Sequence, residues 1–182
     1  MTATDQDVAA FLDELEREFD GFRIIEKRDD RLSLIIDRAL RLVTLGGQDR
    51  YLTHYHTVVG DRLYVPDGWA ATPPTQKIIT LRHERVHLRQ RRRFTLPGLA
   101  FLYLVFPLPL GLAYGRARLE WEAYRETLRA IHELEGGAAL LDPGLRERIV
   151  SQFTGPAYGW MWPFREQVEG WYDEAVEELL SE

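Results

Sequence analysis

Apolar side chains recur every three or four positions along most of this chain, which is the spacing that one buried face of an α-helix requires. Six segments show this spacing and are predicted to be helices: residues 5–19, 32–45, 76–93, 116–135, 142–153 and 163–180. Three shorter segments rich in β-branched and aromatic residues are predicted to be strands: residues 22–27, 51–59 and 62–65. Gly60 and Asp61 lie between the last two strands and indicate a hairpin turn.

These elements predict an α+β fold that is mostly helical, with a small β-sheet immediately before the helix of residues 76–93. The chain has 182 residues, of which 45% are apolar. A chain of this length can form one well-packed core but is short for two. No internal repeat or low-complexity tract interrupts the sequence. We therefore predict a single domain over residues 1–182.

The helix of residues 76–93, which we call the motif helix, separates histidines from arginines. On a helical wheel at about 100° per residue, five side chains fall within about 60° of His83: Gln76, Ile79, Val86, His87 and Gln90. The opposite side carries Arg82, Arg85, Arg89 and Arg92. The histidines are thus predicted to face the protein interior and the arginines to face solvent.

Residues 83–87 read His-Glu-Arg-Val-His, and this spacing places both imidazoles on one helix face, one turn apart. Both rings can then direct a nitrogen at a single metal ion. Glu84 lies about 100° around the helix, where its carboxylate can accept a proton from a metal-bound water. Two imidazoles for Zn²⁺ and a glutamate base are the arrangement of zinc peptidases. Because only three letters of the pattern are fixed, two exposed histidines on an ordinary helix are the alternative.

The helix of residues 116–135 carries an acidic residue, Glu120, in the middle of its apolar stripe. The stripe consists of Ala117, Trp121, Ala123, Tyr124, Leu128, Ile131 and Leu134. A buried carboxylate requires a strong partner, which here is a metal ion, a buried arginine or a hydrogen bond to the protonated acid. Glu122 falls about 200° around the wheel, among arginines, and is predicted to be an ordinary surface charge.

Together these two helices resemble the gluzincin metallopeptidases, which carry H-E-x-x-H on one helix and a glutamate ligand on a later one. In several branches that glutamate begins Glu-x-Glu-Ala-Tyr, and residues 120–124 here read Glu-Trp-Glu-Ala-Tyr. The resemblance covers residues 76–135 and implies a zincin-like fold. It also implies one Zn²⁺ per chain, held by His83, His87 and Glu120, with Glu84 as the general base.

The function implied by this resemblance is zinc-dependent hydrolysis of a peptide or protein substrate by a metal-activated water. The alternative is a zincin-fold module that binds metal or has a structural role, with little or no turnover. The alternative draws on one departure from the family pattern. Many relatives have an aspartate four residues after the glutamate ligand, where it orients a ligand histidine, and this chain has Tyr124. Either Tyr124 takes that orienting role or the role is unfilled, and an unfilled role would weaken metal affinity.

Other candidate residues carry weaker signals. Tyr158 is a candidate donor to a developing oxyanion, although a packed loop aromatic is the favoured interpretation. His54 and His56 lie two apart on a predicted strand and share one face, so they are a candidate metal pair. Solvent-facing or hydrogen-bonded histidines are the favoured interpretation there.

Residues 94–115 carry no charge and are long enough to span a bilayer. Pro97, Pro107 and Pro109 are expected to break the segment into short pieces. A single crossing would also place Glu120 and the histidines on opposite sides of the membrane. We favour a buried helix followed by a proline-rich turn. A shallow re-entrant hairpin, giving peripheral membrane contact, is the alternative.

The net charge of −6 and the absence of a base-stacking motif predict no nucleic-acid partner, so the arginines of residues 89–93 are interpreted as a solvated helix face. The chain has no cysteine, which excludes disulfides and thiolate zinc sites. Its first residues lack the basic and apolar regions of a secretory signal. The expected location is the cytoplasm, with a membrane-associated form left open.

Overall fold

The structure is a computed structural model. It describes residues 2–27, 56–104, 114–155, 161–162 and 164–182, with backbone only for residues 57, 59 and 94–104. The helices are α1 (Asp5–Glu18), α2 (Pro74–Leu104), α3 (Tyr114–Glu135), α4 (Gly137–Leu140), α5 (Pro143–Thr154) and α6 (Arg165–Ser181). The strands are β1 (Arg23–Glu26), β2 (Thr57–Val59) and β3 (Arg62–Val65). The chain divides into two compact units, Thr4–Lys77 and Ile78–Glu182, the latter together with Met1–Ala3.

In the first unit, α1 begins at a reciprocal cap. The Thr4 hydroxyl accepts a hydrogen bond from the Asp7 N–H at 3.3 Å, and the Asp7 carboxylate accepts one from the Thr4 N–H at 2.7 Å. Val8 and Leu15 are buried and lie seven residues apart, which is two turns along one face. The predicted amphipathic helix over residues 5–19 is confirmed.

The sheet of this unit has three strands in the order β1-β3-β2. β3 pairs with β1 in parallel and with β2 in antiparallel orientation, so it is the central strand, and its Leu63, Tyr64 and Val65 are buried. Gly60, in the turn between β2 and β3, has φ 68°, a left-handed conformation that glycine adopts without steric cost. The predicted hairpin and the strand over residues 62–65 are confirmed.

Helices α3 to α6 build most of the core of the second unit, to which α2 adds Ile79. The apolar stripe of α3 packs with α4, α5 and α6 around side chains that include Trp121, Leu128, Ile131, Leu140, Ile149, Phe153, Val168 and Tyr172. Helix α5 begins at Asp142, whose carboxylate accepts hydrogen bonds from the N–H groups of Gly144 and Leu145. Helix α3 is followed by Gly136 at φ 90°. The predicted helices over residues 116–135, 142–153 and 163–180 are therefore confirmed.

The motif helix is longer than its sequence predicts. Helix α2 does not end at Arg93 but continues through Pro97 to Leu104, so the expectation that Pro97 breaks the chain into short pieces is wrong. Proline removes one N–H from the helical ladder, and a helix of 31 residues retains the other bonds. Residues 105–113 lie outside the described ranges.

The predicted fold class, mostly helical α+β with a small sheet before the motif helix, is confirmed. The assignment of residues 1–182 to one domain stays a prediction. The predicted helix over residues 32–45 lies outside the described residues, as does most of the predicted strand over residues 51–59. His54 and Tyr158 also lie outside them.

Within the described ranges, no helix combines the length and the apolar character needed to cross a membrane. The cytoplasmic location, the peripheral membrane contact through residues 94–115 and the absence of a nucleic-acid partner stay predictions.

Candidate metal centre

Helices α2 and α3 bring His83, His87 and Glu120 together. One ligand atom from each residue lies within 4.8 Å of the other two. The Nε2 atoms of His83 and His87 are 3.2 Å apart, and His87 Nε2 is 3.5 Å from Glu120 Oε2. The three residues that the sequence singles out as ligands therefore converge on one point, although they lie on two helices.

The separations of these atoms fit one metal ion. Zn–N and Zn–O bonds of about 2.0–2.2 Å at tetrahedral angles place neighbouring ligand atoms about 3.3–3.6 Å apart. The separations of 3.2 Å between the histidines and 3.5 Å between His87 and Glu120 agree with that spacing. Two imidazole nitrogens and one carboxylate oxygen are also a ligand set that zinc uses in proteins.

Charge inside the site is strongly coupled. Burial alone would lower the pKa of His87, but the charge and hydrogen bonding of Glu120 outweigh burial and raise that pKa to about 9. Burial alone would raise the pKa of Glu120, but His87 outweighs it and lowers that pKa to about 2. Glu120 is only 5% exposed, and His87 is the strong partner that such a buried carboxylate requires. A metal ion binding here must displace the proton from His87.

Glu84 lies beside the three converging residues but is not one of them. Its side chain is buried, and its negative charge also contributes to raising the pKa of His87. The carboxylate of Glu84 therefore acts electrostatically on His87, while its role beside a metal stays a prediction.

Tyr124 contacts the site through its ring. The ring centroids of Tyr124 and His83 are 4.9 Å apart in an edge-to-face arrangement, and Tyr124 also packs against Phe153 at 5.4 Å. These contacts place Tyr124 between the hydrophobic core and the ligand ring.

Two polar partners of the histidines, Thr127 and Gln90, were not predicted from the sequence. His83 Nδ1 lies 3.0 Å from Thr127 Oγ1, and His87 Nδ1 lies 3.0 Å from Gln90 Oε1. A signal for both was present in the sequence. Gln90 falls on the histidine face of the motif helix, and Thr127 follows Glu120 by seven residues, about 20° away on the wheel.

Two polar residues have different surroundings from those predicted. Arg82 does not simply face solvent, because its guanidinium pairs with Glu126 at 2.6 Å and with Glu133, both on α3. Glu122 is exposed as predicted, but its carboxylate accepts a hydrogen bond of 2.9 Å from Gln90 Nε2. The wheel of a single helix does not show which of its polar sides another helix covers.

His56 belongs to no metal cluster among the described residues. Burial lowers its pKa to about 4, with a further contribution from the charge of Lys27, and its ring stacks edge-on against Trp69 at 5.4 Å. Nε2 of His56 is buried and makes no hydrogen bond within the described residues, so this packed ring differs from the solvent-facing or hydrogen-bonded histidine that the sequence favours.

No protein-family model and no solved structure matches the chain. Among curated proteins it is 28% identical over 152 residues to nicotinate phosphoribosyltransferase of Xanthomonas campestris pv. campestris strain B100. The protein of the same name from Xanthomonas axonopodis pv. citri strain 306 matches at the same identity and length. Each match covers 82% of this chain and 35% of the relative, so the chain spans about a third of the length of these curated relatives.

These relatives overturn the resemblance to gluzincin metallopeptidases, because they are named as transferases of another enzyme family. The prediction of a zinc metallopeptidase is therefore wrong, and with it the hydrolase class and peptide hydrolysis with Glu84 as the base. The alternative, a zincin-fold module, also loses its support. The physical reason is that H-E-x-x-H and Glu-x-Glu-Ala-Tyr each describe one turn or so of helix. Such short patterns specify side-chain spacing and not a fold.

Proposed function

We propose that this chain binds one zinc ion through His83 Nε2, His87 Nε2 and the carboxylate of Glu120. The observation that carries the proposal is the convergence of these three atoms from two helices to within 4.8 Å of one another. The proposal does not depend on the family of the chain, because it follows from the distances and the chemistry of the donors.

The donor set favours a transition metal over a hard cation. Mg²⁺ and Ca²⁺ prefer all-oxygen surroundings, whereas imidazole suits zinc, iron, copper and nickel. Among these metals we propose zinc, because two imidazoles and one carboxylate at tetrahedral separations are a zinc ligand set and the separations of 3.2 and 3.5 Å match it.

A zinc ion held by three protein ligands would act as a Lewis acid. Glu84 is also buried. We propose that Glu84 does not coordinate the metal, since it is not one of the three converging residues.

Metal-stripped protein titrated with Zn²⁺ in a calorimeter is expected to bind about one ion per chain. The ion binds the folded state, so at free zinc about 100 times Kd it should add about 2.7 kcal/mol to the free energy of unfolding. Mg²⁺ is the matched control and should produce neither effect, because hard cations disfavour imidazole. A chain that binds no zinc, or that responds equally to Mg²⁺, overturns the proposal.

A second candidate function is phosphoribosyl transfer to nicotinate, as the names of the relatives suggest. It is favoured by one observation, the 28% identity that extends over 82% of this chain. Because the chain spans only 35% of those relatives, the activity of the whole relative need not reside in this part.

The transferase candidate is tested by incubating the chain with labelled nicotinate and an activated phosphoribosyl donor. If the candidate is correct, label appears in a phosphorylated product in proportion to protein concentration, and heat-denatured protein gives none. If no product forms, the shared segment has a role other than the transfer itself. The assay is run on metal-stripped and on zinc-loaded protein, which keeps its outcome separate from that of the zinc titration.

A further inference from the structure

Each of the two histidines has a defined hydrogen-bond partner on the side of the ring that faces away from the other histidine. Building on the proposed metal site, we propose that Gln90 and Thr127 are positioning residues. They hold both rings in the form that keeps a proton on Nδ1 and directs the Nε2 lone pair at the metal position. Outer partners of this kind fix ring orientation and ligand basicity in metal sites.

For His83 the direction of the hydrogen bond follows from the second bond of Thr127. The Thr127 hydroxyl donates its single proton to the Ala123 carbonyl at 3.2 Å. Its oxygen can then only accept at the 3.0 Å contact with His83 Nδ1. In this arrangement the proton of that contact belongs to Nδ1, which leaves Nε2 of His83 as the nitrogen available to a metal.

For His87 the direction follows from the amide of Gln90. Its Nε2 donates to the Leu119 carbonyl and to the Glu122 carboxylate, both at 2.9 Å. A flipped amide would place its oxygen against these two acceptors, which is unfavourable. Gln90 Oε1 therefore faces His87 Nδ1 at 3.0 Å and accepts a hydrogen bond from its N–H group.

Gln90 also joins the two helices that carry the ligands. Its side chain is 5% exposed and contacts His87 on α2, while its amide reaches the carbonyl of Leu119 on α3. Leu119 immediately precedes Glu120 in the chain. One side chain thus orients a histidine and is anchored on the backbone next to the carboxylate, so its loss should disturb two ligands, whereas loss of the Thr127 hydroxyl should disturb one.

The first readout is proton NMR of the ring N–H groups, which requires no metal. In wild-type protein, Nδ1–H signals protected from solvent exchange are expected for both His83 and His87. Thr127→Val should remove the protection of the His83 signal alone, and Gln90→Met that of the His87 signal alone. Unprotected Nδ1 positions in wild-type protein, or protection unchanged in both variants, would overturn the inference whether or not zinc binds.

The second readout is zinc affinity measured by competition with a chelator. Thr127→Val and Gln90→Met should each weaken binding by about 10–100-fold, with one ion per chain retained. Thr127→Ser keeps the hydroxyl and should restore wild-type affinity. Thr154→Val is the matched control, because Thr154 makes the same helical hydrogen bond, to the Val150 carbonyl at 3.1 Å, without contacting a histidine.

The outcomes of these two readouts are distinguishable. A wild-type chain that binds no zinc removes the metal site, while the Nδ1–H signals still decide whether Gln90 and Thr127 orient the rings. If wild-type protein binds zinc and folded Thr127→Val and Gln90→Met bind it equally well, the positioning role is wrong. If Gln90→Met fails to fold by circular dichroism, the comparison of Thr127→Val with Thr127→Ser decides.

Discussion

Zinc affinity is expected to fall by more than about 100-fold when Glu120 is replaced by glutamine, because losing a partner outside the ligand shell already costs about 10–100-fold. Glutamine keeps the shape of the side chain and removes its charge, so the variant tests coordination and not packing. The carboxylate of Glu120 lies 3.5 Å from His87 Nε2 in a buried position. Chelator competition on the metal-stripped protein gives the affinity of each variant.

Two glutamates within the same pair of helices provide the controls. Glu122→Gln keeps an oxygen that accepts from Gln90 and removes one exposed charge, so zinc affinity should be nearly unchanged. Glu84→Gln should also retain one zinc per chain, since Glu84 is not among the three converging residues. Loss of metal in Glu122→Gln with retention in Glu120→Gln would reverse the assignment of the third ligand. Loss in Glu84→Gln would make Glu84 a ligand.

Replacement of Phe153 by alanine is expected to lower the free energy of unfolding by about 3–5 kcal/mol, the typical cost of removing a buried aromatic side chain. Phe153 is 0% exposed, and its ring lies 6.1 Å from that of Trp121, 5.4 Å from Tyr124 and 6.3 Å from Trp171. Its removal leaves a cavity among large rings that cannot easily collapse.

Urea unfolding of the metal-stripped protein measures this loss without a contribution from zinc. Phe164→Ala is the control, because Phe164 is 52% exposed and should cost less than about 1 kcal/mol. Equal losses in the two variants would mean that the ring cluster around Phe153 is not a centre of stability.

The buried and exposed side chains of α3 could be predicted from the sequence because they follow the helical repeat of about 3.6 residues. A strip of apolar positions every three or four residues has to be buried, and Glu120 sits within that strip while Glu122 sits outside it. The structure has Glu120 buried and Glu122 exposed. The burial of this stripe, including the Glu120 carboxylate, follows from the residue spacing within one helix. The local sequence is therefore sufficient to predict it.

Features that depend on distant parts of the chain could not be predicted in this way. Pro97 is a local signal for a break, and α2 continues through it. The partners of Arg82 lie 44 and 51 residues further along the chain, so nothing near Arg82 in sequence indicates them. Gln90 and Thr127 lie on the ligand faces of their own helices. A helical wheel does not show which side chains on such a face form hydrogen bonds with the histidines.

The prediction of a peptidase was wrong for a different reason. Helix geometry places His83 and His87 on one face, the family resemblance implied Glu120 as their partner, and the structure brings the three together. The peptidase family was inferred from about ten residues on two helices, whereas the similarity to the Xanthomonas relatives extends over 152 residues. Ligand spacing describes a site, and many folds can present the same site.

Arg82 holds Glu126 and Glu133, two carboxylates that lie seven residues, or two turns, apart on α3. A slide of α3 along α2 by one turn would shift it about 5.4 Å, which is more than the 4.8 Å that contains the three ligand atoms. Such a slide would also separate the guanidinium from its two acidic partners. The ion pairs and the metal position therefore require the same axial alignment of the two helices. The ion pairs of Arg82 therefore favour the same alignment of α2 and α3 that brings the three ligand atoms together.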